Sequence, residues 1–266
     1  MNLSIILLCL FFLSLSAVGD EIEVIIYVDD AYRPFSFSEN GNAKGKYIDI
    51  LKMAFSRLPD FNVTMVPIPW NRGKKMMEEG IGFGLTPVFF HGHDWSYLYP
   101  YSLPFYTEQI NVICTEKVLL APRLNWPEDY VGLGIGSVAG FDGWGGGKFR
   151  DLVKSGKINF HEVHSSEALI KMILKGRQDC ILMESSAFDY EFNRLTNLAG
   201  DNAYNDIKLT KGPIVGKEPV YIGYSLSAFK NEKYPNAFEF RKAFDVVIYK
   251  MTNSGEIESI MAAYQD

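Results

Sequence analysis

The sequence predicts an α/β protein built as two similar lobes, and three observations carry that reading. Apolar, β-branched runs alternate with short amphipathic segments, the pattern of strands joined by crossover helices in a parallel sheet. The unit of strand, capped short helix, glycine and apolar strand is written near residues 63–86 and again near 158–183. The hydrophobic share, 47% of 266 residues, supports one large core or two modest ones.

The elements follow in order. EIEVIIYVDD reads as a buried strand that ends at the turn-rich AYRPF. ENGNAKGK is a loop in which Asn40-Gly41 favours a tight hairpin turn. Ile48, Leu51, Phe55 and Leu58 recur at helical spacing, and Pro59 stops that helix. FNVTMVPI is a second strand. Asn71 is placed to cap a short helix, RGKKMMEE, closed by Gly80 and followed by the apolar IGFGLT. In the second unit, YVGLGIGS is a strand entering a glycine-rich turn and KINFHEVH is another strand. Ser165 or Ser166 caps a helix carrying Leu169, Ile170, Ile173 and Leu174 up to Gly176, before the strand DCILM. Two helices close the chain. One has the stripe Phe240, Phe244, Val247 or Ile248 and Met251; the other has Ile257, Ile260, Met261 and Tyr264, with Asn253 and Glu256 spaced as a capping box.

Residues 1–19, MNLSIILLCLFFLSLSAVG, contain no charged side chain, and 5–15 is almost wholly apolar. That run is shorter than the ~20 residues that cross a bilayer. It suits the h-region of a secretory signal, with Ala17-Val18-Gly19 as the small residues a signal peptidase reads. Cleavage near Gly19 would release a soluble protein outside the cytoplasm. Its net charge of −6 argues against nucleic acid, which requires a clustered basic face. Cys114 and Cys180 each sit in a strand-like apolar context, INVICTE and DCILM, and are expected to be buried thiols in separate sheets, without a bridge.

Among chemical motifs, His91-Gly92-His93-Asp94 supplies two histidines two positions apart, but no neighbouring Cys, Glu or further His completes a zinc set. A polar loop, with no metal, is the reading. Gly134-Ile135-Gly136 with Ala139 fits a dinucleotide pattern, yet position 154 is Lys where a ribose-binding acid is needed. The glycines instead suit a tight turn into a helix whose N-terminus faces a ligand. No GxSxG nucleophile motif occurs. Aromatic residues make up 14% of the chain, clustered at Tyr27, Tyr32, Phe35 and Phe37 and again at 97–106, which suits an aromatic-lined cleft.

Taken in order, five segments resemble the family-3 extracellular solute-binding proteins, the amino-acid-type receptors of bacterial ABC importers. AYRPFSF with ENGNAKGKYIDILKMAF is similar to the family's opening strand, aromatic turn, hairpin and helix. VPIPWNRGKKMMEEG is similar to its "PW-x-R" segment, LPFYTEQINVICTEK to the strand that crosses between lobes, GRQDCILMES to a strand of the second lobe, and EPVYIGYSLSA to the return crossover. The resemblance implies a two-lobed type II periplasmic-binding fold with two crossover strands. Residues 20–110 would form the first part of lobe one, 111–218 lobe two, and 219–266 the return crossover and the C-terminal helices of lobe one. It also implies a periplasmic monomer without cofactor or catalysis, holding a small polar ligand for a membrane permease. Closure about a few hinge residues would be stabilised by that ligand.

Residue by residue, the resemblance implies that Tyr32, Phe35 and Phe37 form the aromatic turn against the ligand and that Trp70 is a cleft-edge aromatic. Arg72 would answer an anionic group, Thr86 matches the threonine of the family's "T-P-E-R", Ser137 is a hydroxyl near the second lobe's helix N-terminus, and Glu184 is the acid that pairs a ligand ammonium. One position departs. The family's arginine forks onto the ligand's α-carboxylate, but here the run is Thr86-Pro87-Val88-Phe89. A buried carboxylate without that partner costs on the order of 3 kcal/mol. Either the ligand is not a standard α-amino acid or Arg72 supplies the charge. Glu184 favours a cationic or hydroxylated group, and the aromatics suit a ring or a quaternary ammonium. Two other readings share the fold: a cyclohexadienyl dehydratase with Glu184 as general acid, and a sensing subunit for a membrane receptor.

Overall fold

A computed structural model describes residues 21–92, 94–141, 144–199, 208–230 and 234–264. The signal-like segment 1–19 and His93 lie outside the described residues. In chain order, β1 (Ile22–Asp29) leads through β2 (Ala31–Tyr32) to the hairpin β3 (Ser36–Glu39) and β4 (Asn42–Lys44), then α1 (Lys46–Phe55), β5 (Phe61–Ile68), α2 (Trp70–Glu78), β6 (Gly84–Val88) and β7 (Leu98–Tyr101). β8 (Tyr106–Thr115) opens the second half, with α3 (Glu116–Leu119), β9 (Gly134–Val138), α4 (Gly146–Lys154), β10 (Asn159–Val163), α5 (Ser166–Leu174), β11 (Cys180–Glu184) and α6 (Ser185–Ala199). β12 (Leu209–Ser225) returns to α7 (Leu226–Lys230), α8 (Ala237–Asn253) and α9 (Glu256–Ala262).

Each lobe has a parallel centre: β1 lies between β5 and β6, and β9 lies between β10 and β11. β8 and β12 run antiparallel, from Tyr106 opposite Val220 to Thr115 opposite Leu209, and join the two halves. The order is β10-β9-β11-β8-β12-β6-β1-β5, with β7 also paired to β12 off this path. Positions 110/111 and 218/219, where the lobes were expected to divide, fall inside these two strands.

Local chemistry accounts for most boundaries. Asn40 and Gly41 both take positive φ, 52° and 80°, as the two-residue turn between β3 and β4 requires. Ser165 caps α5, its hydroxyl accepting from the Ala168 N–H at 3.2 Å. Two expected caps differ. Pro69, with φ −55°, precedes α2 and fixes the entry, so Asn71 lies within the helix. Gly255, in the left-handed region, precedes α9, and Asn253 is the last residue of α8. The stripe Phe240, Phe244, Val247, Ile248 and Met251 is buried under lobe one, where Phe240 meets Phe61 edge-on at 5.2 Å.

The second lobe corrects the cysteine expectation. Cys114 and Cys180 are disulfide-bonded, with S–S 2.01 Å. Their strand contexts are as expected, but β8 and β11 are neighbours in one sheet and pair these two residues directly. After β9 and β10 the chain returns beside β8, which brings the thiols together inside the core of Ile110, Val112, Ile135 and Leu182. Among the described residues, no helix is long and apolar enough to cross a membrane.

The bridge spans 66 residues, and on chain-entropy grounds it stabilises the fold by about 4 kcal/mol. Replacing both cysteines by alanine is expected to lower Tm by on the order of 10 °C. Calorimetry checks this; an unchanged Tm would show that the bridge does not constrain the unfolded chain.

Candidate functional site

The strand ends of the two lobes face each other across a cleft. Lobe one contributes the residues after β1, the start of α2 and the segment after β6. Lobe two contributes the turn after β9 and the junction of β10 with α5. The indole N–H of Trp70 donates to the Gly140 carbonyl at 2.9 Å, linking the lobes. Gly140 has φ +84°, and a Cβ there would stand 2.7 Å from Asn71 Oδ1 and 2.9 Å from Trp70 Cδ1. The approach is therefore reserved for glycine. Phe141 follows it and meets Tyr32 edge-on at 4.9 Å and Trp70 at 6.3 Å. Arg150 and Asp94 form an ion pair between the lobes at 3.7 Å.

Three spaces result. A cavity of about 660 Å³ lies beside α5, lined by Asp29, Asp30, Trp70 and Asn71 of one lobe and by Phe141, His164, Ser165 and Lys171 of the other. A second, of about 370 Å³, lies beside α4 between Asp94, Trp95, Ser137, Trp144 and Arg150. Between them, Tyr32, Trp70, Phe89, His91, Trp95 and Phe141 leave only about 10 Å³.

Below the aromatics is a buried acid. β8 alternates, so Glu108 shares its face with Ile110, Val112 and Cys114. It is 0% exposed. The Tyr32 hydroxyl donates to one carboxyl oxygen and the Tyr47 hydroxyl to the other, both at 2.7 Å. Burial, then the charge of Glu184, pushes the Glu108 carboxyl up to about 8, against the pull of the two hydroxyls. Glu184 is also raised by burial, although it accepts from the Ala187 N–H at 2.7 Å and the Ser186 hydroxyl at 2.8 Å at the start of α6. Lys46, buried on α1, is lowered by desolvation and opposed by the nearby charge of Glu184. Burial likewise raises Asp29, at the cleft edge, to about 7.

The residues singled out from sequence are distributed as follows. Tyr32, Trp70 and Phe89 line the aromatic centre, and Ser137 lines the cavity beside α4. Phe35 lies one layer deeper, stacked on Tyr47 at 4.5 Å. Phe37 packs under the Arg33 guanidinium at 3.8 Å, outside these cavity walls. The Thr86 hydroxyl donates to the Tyr221 carbonyl at 3.0 Å, inside lobe one. Arg72 is exposed on α2 and lines none of the three spaces. Phe89 touches the cores of both lobes. His91 is buried, stacked on Trp95 at 4.0 Å. Among the described residues no group of three or more His, Cys, Asp or Glu is placed to hold a metal.

Sequence reasoning missed Glu108, Tyr47, Lys46, Trp95 and Phe141. Glu108 carried a readable signal, an acid in the inward register of an apolar strand. Phe141 had none, because only the turn after β9 decides where its ring goes.

No protein-family model matches the sequence, and no curated protein matches it. Solved structures do match. An arginine transport system periplasmic binding protein from Legionella pneumophila superposes with a TM-score of 0.67 at 15% identity, over 92% of this chain and 100% of that one. A histidine kinase sensor domain with similarity to periplasmic binding proteins gives 0.68 at 14%, over 92% and 96%. An ancestral amino acid-binding protein, a precursor of cyclohexadienyl dehydratase, gives 0.65 at 15%, over 92% and 96%. At such identities the likeness is one of fold. The chain has the two-lobed type II periplasmic-binding fold that its sequence predicts.

Two outcomes follow from the geometry. Because the folded chain keeps the Glu108 proton that the unfolded chain releases near the ordinary 4.5, its stabilising effect is complete below that pH and is lost as pH rises through about 8. Asp29, raised to about 7, acts in the same direction. The Tm of Glu108→Gln should therefore decline less steeply than that of the unaltered chain between these limits; parallel profiles would remove Glu108 from the account. Gly140→Ala should cost the Trp70 hydrogen bond, about 1 kcal/mol, and enlarge the radius of gyration in small-angle scattering. An unchanged radius would show that the contact does not hold the lobes together.

Proposed function

We propose that the chain is an exported solute-binding protein of the family-3 type that captures a small polar molecule between its lobes for an ABC-type importer, without catalysis. The observation that carries this reading is the cleft itself: two lobes on paired crossover strands, with ring surfaces from both sides meeting at Tyr32, Trp70, Phe89 and Phe141. In this reading residues 1–19 are a signal peptide, 20–110 and 219–266 form lobe one, and 111–218 form lobe two. The protein works as a periplasmic monomer without a cofactor, and a membrane permease recognises its closed form. The transport-system protein of the same fold supports that assignment by analogy.

The ligand is an amino acid or a related amine or organic molecule. Tyr32, Trp70 and Phe89 would supply its apolar contacts, with Phe35 and Phe37 bracing the turn, Ser137 as a hydrogen-bonding hydroxyl and Glu184 as its acid. Phe89 replaces the family's carboxylate clamp, Arg72 is exposed on α2, and Thr86 has committed its hydroxyl to Tyr221. These positions favour a molecule that does not depend on a bidentate grip at an α-carboxylate.

One observation favours a second reading on the same fold. Glu108, pushed to about 8, is an acid able to hold a proton near neutral pH, as a dehydratase requires, and burial raises Glu184 in the same direction. The two readings separate in one experiment. Thermal shift against amino acids, amines and organic acids should find a stabilising solute that is recovered unchanged. Release of phenylpyruvate from prephenate, abolished by Glu184→Gln, would replace binding with catalysis.

A further inference from the structure

Phe141 is the partition between the three interlobe spaces, since it lines the cavity beside α5, the cavity beside α4 and the nearly filled centre. Its ring comes from lobe two and stands edge-on to Tyr32 of lobe one at 4.9 Å, to Trp70 at 6.3 Å and to Trp144 at 5.1 Å. Such edge-to-face contacts are favourable geometries for one aromatic ring among others. Phe141 is nevertheless incomplete as an occupant. Two donors next to it, Ser137 Oγ and Trp144 Nε1, are buried, with their residues 2% and 4% exposed, and have no hydrogen-bond partner among the described residues. Buried donors are ordinarily satisfied, and a phenyl ring offers them no oxygen or nitrogen acceptor, only a weak π face. Arg150 lines the same cavity and adds a third donor, beside the acids Asp94 and Glu162.

Building on the solute-binding reading above, we propose that Phe141 holds the place of the ligand's ring and that the ligand is a single-ring aromatic molecule carrying an acceptor oxygen. On binding, the Phe141 side chain withdraws and the three spaces join. The incoming ring takes its contacts with Tyr32, Trp70 and Trp144, and its oxygen accepts from Ser137 and Trp144. The side chain competes with the ligand, so apparent affinity falls by the fraction of molecules in which the ring slot is open.

The test titrates the mature chain and its Phe141→Ala variant with phenol, benzoate and toluene, using calorimetry and tryptophan fluorescence. Phe141→Ala should bind phenol and benzoate about tenfold tighter than the unaltered chain, because nothing remains to be displaced. Toluene, a ring without an acceptor, should bind the variant more weakly than either. Adding Ser137→Ala and Trp144→Phe should bring phenol and benzoate down to toluene's level. Equal binding of all three probes by Phe141→Ala, or no gain over the unaltered chain, overturns the proposal. Should Phe141→Ala not fold, Trp144→Phe alone decides: it should weaken phenol and benzoate and leave toluene unchanged, and no difference among the three overturns the proposal. A solute of another class whose affinity ignores Phe141→Ala overturns this inference and leaves the binding-protein reading standing. Prephenate turnover overturns that reading instead.

Discussion

The antiparallel pairing of β8 with β12 is the constraint on which the rest of the structure depends. It is the strand pairing that joins the two halves of the sheet, and Glu108 is buried within it opposite Glu218. A carboxyl group in that position has lost water and must find its partners in the protein. It finds them in Tyr32, which follows β1, and Tyr47, which belongs to α1. Two segments of lobe one are thereby tied to a strand that continues into lobe two. Tyr32, held by its hydroxyl at the seam, presents its ring to Phe141, and the polar floor sets the geometry of the aromatic centre above it.

The second lobe contributes stiffness to the same arrangement. Its disulfide ties β8 to β11, and Glu184, at the end of β11, accepts from the first turn of α6. This buried acid is therefore fixed to the strand beside the crossover. Burial raises the cost of ionising both Glu108 and Glu184, the charge of Glu184 adds to it at Glu108, and Lys46 offsets the charge of Glu184. This is how a pair of neighbouring carboxyls comes to differ from the ordinary glutamate. The difference serves binding and catalysis equally well, so the choice between them belongs to the solute that enters.

Much of the fold was legible because its signals are periodic and local. FNVTMVPI coincides with β5, Asn40-Gly41 turns the hairpin, and the Phe240 to Met251 stripe is the buried face of α8. Strand order is another matter. Nothing in INVICTE or DCILM says that the chain returns beside β8 after two intervening strands, so the disulfide was not readable from apolar context. The candidate site divides along the same line. Tyr32, Trp70 and Phe89 were recoverable from a resemblance, and Glu108 from its inward register. Phe141, two donors without partners and the nearly filled centre exist only once the lobes meet. Asn71 illustrates a local competition, in which a plausible cap gave way to the fixed φ of the proline before it.

The balance of forces across the cleft shows what kind of closure this is. The one ion pair between the lobes described above, Arg150 with Asp94, is 3.7 Å long with both side chains nearly half exposed. Such pairs contribute about 0–1 kcal/mol and are screened by salt. Against it stand the contacts of Phe141 with Tyr32 and Trp70 of the other lobe, each worth about 0.5–1.5 kcal/mol beyond the area it buries. The Trp70 bond to Gly140 adds about 1 kcal/mol. Ring contacts therefore dominate, and they need neither a carboxylate nor an arginine to close the lobes. Phe89, where the resemblance leads one to expect an arginine, is consistent with that balance. In this cleft an arginine would bury a cation among Trp95, His91 and Phe141, whereas a phenylalanine extends the surface that already holds the lobes together.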